Sequence, residues 1–183
     1  MPSSMARTPK QAAPKPPEAA AVRSAGADDL EAIRAIYNEG IEDGIATLDY
    51  DVKTHAQMRD WFEQRSTRYP VIVACRDGQV VGWASLNPYS HRCAYNGVAD
   101  LSIYVRRDAR GQGVGTELMA EIEELARAKD FHKIVLHALT DNPAGRRLYE
   151  KRDFRDVGVF KEQGRLDGRF VDVIAMEKIL AAG

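Results

Sequence analysis

The segment from Ala99 to Thr116, ADLSIYVRRDARGQGVGT, constrains the chain more than any other. Leu101 to Val105 is a β-branched and aromatic run that reads as a strand, Arg106 to Arg110 is a charged turn, and from Val114 apolar residues recur at helical spacing. A strand therefore passes through Gly111, Gly113 and Gly115 into a helix N-terminus. The unpaired N–H groups of a first helical turn converge on one point, and the helix dipole adds partial positive charge there, so such a junction binds anions. Glycine lets an anion reach the backbone, and Arg106, Arg107 and Arg110 offer cations beside it. A purely structural turn would use the same glycines for tight packing.

Of two phosphate loops, one fails on this stretch and the other fits it weakly. A Walker loop ends in Gly-Lys-Ser or Gly-Lys-Thr, whereas Gly115 is followed directly by Thr116. The dinucleotide fingerprint GxGxxG would need glycine at 116 and an acid closing the next strand, and Leu136 to Leu139 offers none.

The rest of the chain bounds the answer. Its 183 residues fit one domain with a sizeable core. A formal charge of −1 leaves no global field for nucleic acid or an anionic membrane, so phosphate binding must be local. No apolar run approaches the length needed to span a bilayer. Cys75 and Cys93 lack metal spacing and read as reduced thiols, which points to the cytoplasm, and His55, His91, His132 and His137 form no metal pattern. No metal site is expected.

Residues 1 to 20 hold five of the eight prolines and read as a disordered tail, leaving residues 21 to 183 as the folded domain. Within it a short strand near Ala21 precedes a helix bearing Leu30, Ile33, Ile36, Tyr37 and Ile41, and Thr54 caps a second helix carrying Met58, Trp61 and Phe62. Asp77-Gly78 joins two strands as a hairpin, and Asp167-Gly168 joins the last two. A third helix runs from the glycine loop to about Lys129 with Val114, Leu118, Ile122 and Leu125 inward and Glu117, Glu121 and Glu123 mostly outside that stripe. Lys133 to Leu139 is a buried strand, and Asn142-Pro143 opens a fourth helix. The order β, α, α, β, β, β, α, β, α, β, β predicts an α/β fold with a mixed sheet flanked by about four helices.

Arg110-Gly111-Gln112-Gly113-Val114-Gly115 resembles, at every fixed position, the (Arg/Gln)-x-x-Gly-x-(Gly/Ala) signature of the GNAT N-acetyltransferases. The resemblance spans roughly residues 21 to 180 and is closest to the phosphinothricin and methionine sulfoximine type, through Ile36-Tyr37-Asn38, Ala46-Thr47, Trp61-Phe62 and Ile103-Tyr104-Val105. It implies the GNAT fold, a mostly antiparallel sheet whose central strands, here Asp100 to Val105 and Lys133 to Leu139, splay apart around the pantetheine arm of acetyl-CoA. It also implies a small-molecule amine as acceptor and a homodimer.

Residue by residue, the resemblance puts Ile103, Tyr104, Val105, Arg110, Gly111, Gln112, Gly113, Val114, Gly115 and Thr116 on the cofactor. A second match runs from Asn142 to Phe154, implying cofactor contacts from Asn142, Arg146 and Tyr149, with the Tyr149 hydroxyl serving the departing thiolate. Asp153 stands there for the family's glycine. Asp100 takes the place of the family's glutamate, one methylene shorter, as the candidate base for the acceptor ammonium, acting directly or through a water; satisfied by backbone donors, it would be only structural. Thr47, Tyr89, Arg92 and Tyr95, in loops that should overhang the strand gap, are the candidate substrate residues. No cysteine falls at the expected centre, so direct attack in a ternary complex is implied. Glu39, Glu42, Asp43 and Asp49 keep polyamines and aminoglycosides open as acceptors. Protein amino termini, and a domain that binds acyl-CoA without turnover, stay open as well.

Overall fold

In a computed structural model, residues 18–180 are described. Seven strands form one sheet: β1 (Ala21–Ser24), β2 (Val71–Arg76), β3 (Gln79–Pro88), β4 (Val98–Val105), β5 (Lys133–Leu139), β6 (Arg155–Leu166) and β7 (Arg169–Ile179), in the spatial order β1-β2-β3-β4-β5-β7-β6. Four helices flank it: α1 (Leu30–Asp43), α2 (His55–Glu63), α3 (Val114–Ala128) and α4 (Pro143–Lys151). Only β4 and β5 pair in parallel; every other neighbour is antiparallel. The element order, the two hairpins and the mixed sheet are those expected.

β2 reads as a continuous apolar run because both its faces are covered. Val71 and Val73 pack with Leu30, Ile33, Ile36, Met58 and Trp83 under α1 and α2, whereas Ile72 and Ala74 join Leu86, Leu101, Leu118 and Ile122 under α3. Thr54 caps α2 by accepting from the Gln57 amide at 3.2 Å, while the Gln57 side chain accepts from the Thr54 amide at 2.8 Å. Asp77-Gly78 and Asp167-Gly168 both have positive φ, the backbone that two-residue hairpins require. Asp153 adopts φ +63° just after α4, the conformation that a glycine takes without cost.

Ala20, the last residue of the expected tail, is buried among the core residues and its amide donates to Glu117 Oε2 at 3.0 Å. Residues 1–17, the bulk of that tail, lie outside the described residues. Glu123 departs from its expected place: at 1% exposure it is buried, accepting from Arg152 at 2.9 and 3.0 Å and from Lys178 at 2.7 Å. Three elements share that carboxylate, and the two cations repay its desolvation.

The site is positioned by where strand pairing stops. β4 and β5 are in register at only three positions, Val98 to Asp100 against Lys133 to Val135. Beyond Asp100 the two central strands diverge, β4 staying with β3 and β5 with β7. The expected splay thus opens toward the C-terminal ends of two parallel strands, where α/β proteins hold their ligands.

Candidate active site

A cavity of about 410 Å³ lies at that opening. Ile103, Tyr104 and Val105 of β4 form one wall, Gly111, Gly113, Gly115 and Thr116 another, and Asn142, Leu148 and Tyr149 of the α4 region a third. Gly111 and Gly113 have φ of +74° and +89°, which L-side chains rarely adopt, and a Cβ on either would meet nothing within 4 Å. Their backbone therefore faces open space at the start of α3. Gln112 and Val114 do not line the cavity; Gln112 ties the loop to Arg76 and to the Asp108 carbonyl, both at 2.7 Å, and Val114 is buried in the core.

The cations are arranged differently from the sequence expectation. Arg106 pairs with Asp108 at 2.6 Å, and Arg107 with Asp43 at 2.7 Å. Arg110 alone of the three lines the cavity, and it is held by Asp43 at 2.6 Å and by the Val105 carbonyl at 3.1 Å. Hydrogen bonds from Arg107 and then Arg110 hold the Asp43 carboxyl below the usual carboxylate range. Arg146 is turned away, paired with Glu150 at 2.8 Å and Asp156 at 2.7 Å. Arg147 and Lys151 line the cavity instead, with Ala144 and Leu148. Their spacing of i, i+3, i+4 and i+7 on α4 is the signal that could have found them.

Tyr149 projects into the cavity from the buried side of α4, and burial pushes its hydroxyl up to about 12. Asn142 caps α4, its Oδ1 accepting from the Gly145 amide at 2.9 Å. Asp100 sits at the crotch of the splay with its carboxylate part exposed, and its Oδ1 lies 3.4 Å from Nδ1 of His137 on β5. Sequence reasoning had no reason to join these two residues, because they are brought together by the parallel register of non-adjacent segments.

A second cavity of about 330 Å³ lies under α2 and shares Tyr104 with the first. Its floor is the side of β3 and β4 that carries Trp83, Ser85, Asn87 and Ser102, and its rim includes Asp49 and Lys53. The Ile36-Tyr37-Asn38 segment sets that rim. Asn38 exchanges two hydrogen bonds with the Lys53 backbone, at 2.8 and 3.1 Å, and the Tyr37 hydroxyl donates to Asp49 at 2.6 Å. Burial, then the Asp49 hydrogen bond, pushes Tyr37 up to about 12. Burial opposes ionisation of Asp49, but Tyr37 and Lys53 outweigh it and its carboxyl is lowered. Arg65 donates to Asn87 Oδ1 at 3.0 Å and stacks over Trp61 at 4.7 Å. Trp83 Nε1 is buried without a hydrogen-bond partner among the described residues.

The four expected substrate residues line neither cavity. Thr47 accepts from the Asp49 amide at 3.2 Å beside the Tyr37 and Tyr104 hydroxyls. Tyr89 and Tyr95 meet edge to face at 5.5 Å in the loop before β4, and Arg92 is exposed in that loop.

The acetyltransferase (GNAT) family model matches residues 30–154. The chain belongs to the GNAT acetyltransferase family. Its curated relatives include an L-methionine sulfoximine/L-methionine sulfone acetyltransferase of Pseudomonas aeruginosa, 32% identical over 160 residues that cover 86% of this chain and 93% of that protein. A phosphinothricin N-acetyltransferase of Streptomyces coelicolor is 29% identical, covering 87% and 95%. Among solved structures, a phosphinothricin acetyltransferase from Sinorhizobium meliloti in complex with AcCoA superposes with a TM-score of 0.86 at 30% identity, covering 91% of each chain. A ribosomal-protein-alanine N-acetyltransferase from Brucella melitensis gives 0.84 at 35% identity, covering 87% and 99%. This GNAT enzyme is thus an N-acetyltransferase whose acetyl donor is acetyl-CoA.

Proposed function

We propose that this acetyltransferase acetylates the α-amine of a small amino acid whose side chain ends in hydrogen-bond-accepting oxygens, by direct attack on the thioester. The observation that carries the reading is the second cavity, which meets the glycine-lined one at Tyr104. Its free donors, the Trp83 indole N–H and the Ser102 hydroxyl, suit sulfoximine, sulfone or phosphinate oxygens. Names of the relatives support the same class.

On this reading the backbone amides of residues 111 to 116 hold the diphosphate, with Arg110, Arg147 and Lys151 beside it. A backbone N–H near Ile103 or Tyr104 polarises the thioester carbonyl. The Tyr149 hydroxyl, at about 12, is a weaker acid than a thiol near 8.5, so it stabilises the departing thiolate by donating a hydrogen bond to it. Neither cavity is lined by Cys75 or Cys93, which fits attack without an acyl-enzyme. The enzyme works as a homodimer in the cytoplasm, a copy covering exposed apolar side chains of β6 and β7 such as Phe160 and Phe170.

Transfer to a protein amino terminus is the second reading, favoured by the Brucella neighbour. Thiol release from acetyl-CoA, measured against phosphinothricin, methionine sulfoximine, methionine sulfone, ordinary amino acids, spermidine, an aminoglycoside and an alanine-terminated peptide, separates the two. Selective turnover of the glutamate-like analogues supports the first; selective turnover of the peptide overturns it. Sedimentation gives the oligomeric state.

A further inference from the structure

We infer that His137, held by Asp100, is the general base that takes the proton from the acceptor ammonium; this rests on the amine acetylation proposed above. Asp100 by itself is badly placed for the task. It lies three residues before Ile103 on β4, about 10 Å along the strand at roughly 3.3 Å per residue, and its carboxylate stands on a single methylene. The glycine-lined cavity begins at Ile103, and neither Asp100 nor His137 lines it or the second cavity.

His137 reaches farther along the opening. Asp100 pairs in register with Val135, and His137 is two residues farther along β5, on the same face and about 7 Å deeper into the opening. Its Nδ1 lies 3.4 Å from Asp100 Oδ1, and both side chains are part exposed, 41% and 30%. An ionised carboxylate only accepts, so Nδ1 carries the proton, and in the neutral ring Nε2 is then the atom with the lone pair. Phe160 of β6 sets the ring from the other side, with centroids 6.3 Å apart.

Other charged groups on this face are occupied. Lys133 and Arg155 pair with Glu177, Lys53 pairs with Asp49, and Arg65 is bound to Asn87 and backbone carbonyls. Asp100 is therefore the carboxylate that faces the ring. In the step proposed, Nε2 accepts a proton from R–NH3+, and the imidazolium is stabilised by Asp100. The freed amine lone pair forms the N–C bond and the C–S bond breaks; the nitrogen's second proton passes to the departing thiolate, and the imidazolium returns its proton to solvent, so the net release is one proton.

His137→Ala, with acetyl-CoA affinity measured by calorimetry, tests the role. Turnover should fall at least tenfold with affinity unchanged, and added imidazole should restore it in proportion to its free-base fraction, which a merely structural role would not do. Unchanged turnover, or a loss that imidazole does not restore, overturns the proposal. Imidazole 15N shifts of the wild-type enzyme read the ring without any acceptor: a protonated Nδ1 with a bare Nε2, lost in Asp100→Asn, is expected, and a bare Nδ1 overturns the pair. An enzyme that shows this tautomer yet acetylates none of the amines tested refutes the acceptor reading and, with it, the role of His137 in catalysis.

Discussion

A Cβ placed on Gly115 would lie 2.8 Å from Leu148 Cδ2. The third glycine of the loop is thus needed for close approach of α3 to α4, the helix that carries Tyr149, whereas Gly111 and Gly113 serve the loop's left-handed turns. Gly115→Ala should push α4 outward, lowering turnover and thermal stability together. Gly113→Val strains a φ of +89° and puts a branched side chain where the backbone faces open space. Acetyl-CoA affinity should fall at least tenfold in Gly113→Val, with most of the thermal stability retained. Calorimetric titration beside thermal melting distinguishes the two variants.

Tyr149→Phe removes a hydroxyl and leaves a ring of the same shape packed against Phe154 at 6.2 Å. Because the proposed hydrogen bond strengthens only as the thiolate develops, kcat should drop tenfold or more while acetyl-CoA affinity stays nearly intact. Equal losses in kcat and affinity would make the hydroxyl a ground-state contact.

The sequence was most readable where one local rule decides. Thr54, Asp77-Gly78, Pro143 after Asn142 and the glycine loop each specify backbone within a few residues, and each lies where it was expected. Legibility fell where a residue's role is set by a distant partner. Glu123 looks like one more exposed helix acid until Arg152 and Lys178 arrive from α4 and β7. Arg146 and Arg147 are adjacent and chemically identical, and only the helix phase decides which faces the cavity. Ser85, Asn87 and Ser102 read as ordinary polar alternation along strands, and become a cavity floor only when α2 covers them.

Burial of Glu123 between two cations makes it the most consequential surface-like residue of α3. Glu123→Ala would leave Arg152 and Lys178 around an empty, desolvated position, and losing one partner of a buried ionic cluster costs about 3–5 kcal/mol. Glu123→Gln keeps the volume and one acceptor oxygen and should cost less. Urea unfolding of the two variants gives the comparison, and a loss below about 1 kcal/mol for Glu123→Ala would show that water reaches the cluster.

Acid should destabilise the fold through carboxylates held low by their partners. The Arg23 hydrogen bonds hold Asp29 below the usual range despite burial, Lys133 does the same for Glu177, and Arg107 for Asp43. Unfolded, these groups titrate near about 3.9 for Asp and about 4.3 for Glu. A carboxyl whose folded pKa lies below its unfolded value contributes stability that is complete above the unfolded value and is lost as pH falls through the folded one. Unfolding free energy should therefore be flat near neutrality and decline below about pH 4.5. Asp29 also accepts from the Gly26 amide at 2.8 Å, so it fixes the entry to α1 as well as pairing with Arg23. Asp29→Asn should be less stable than wild type at pH 7 and lose less on acidification, the two urea midpoints converging as pH falls through the lowered folded pKa of Asp29. Parallel curves would mean that Asp29 and Arg23 do not interact in solution.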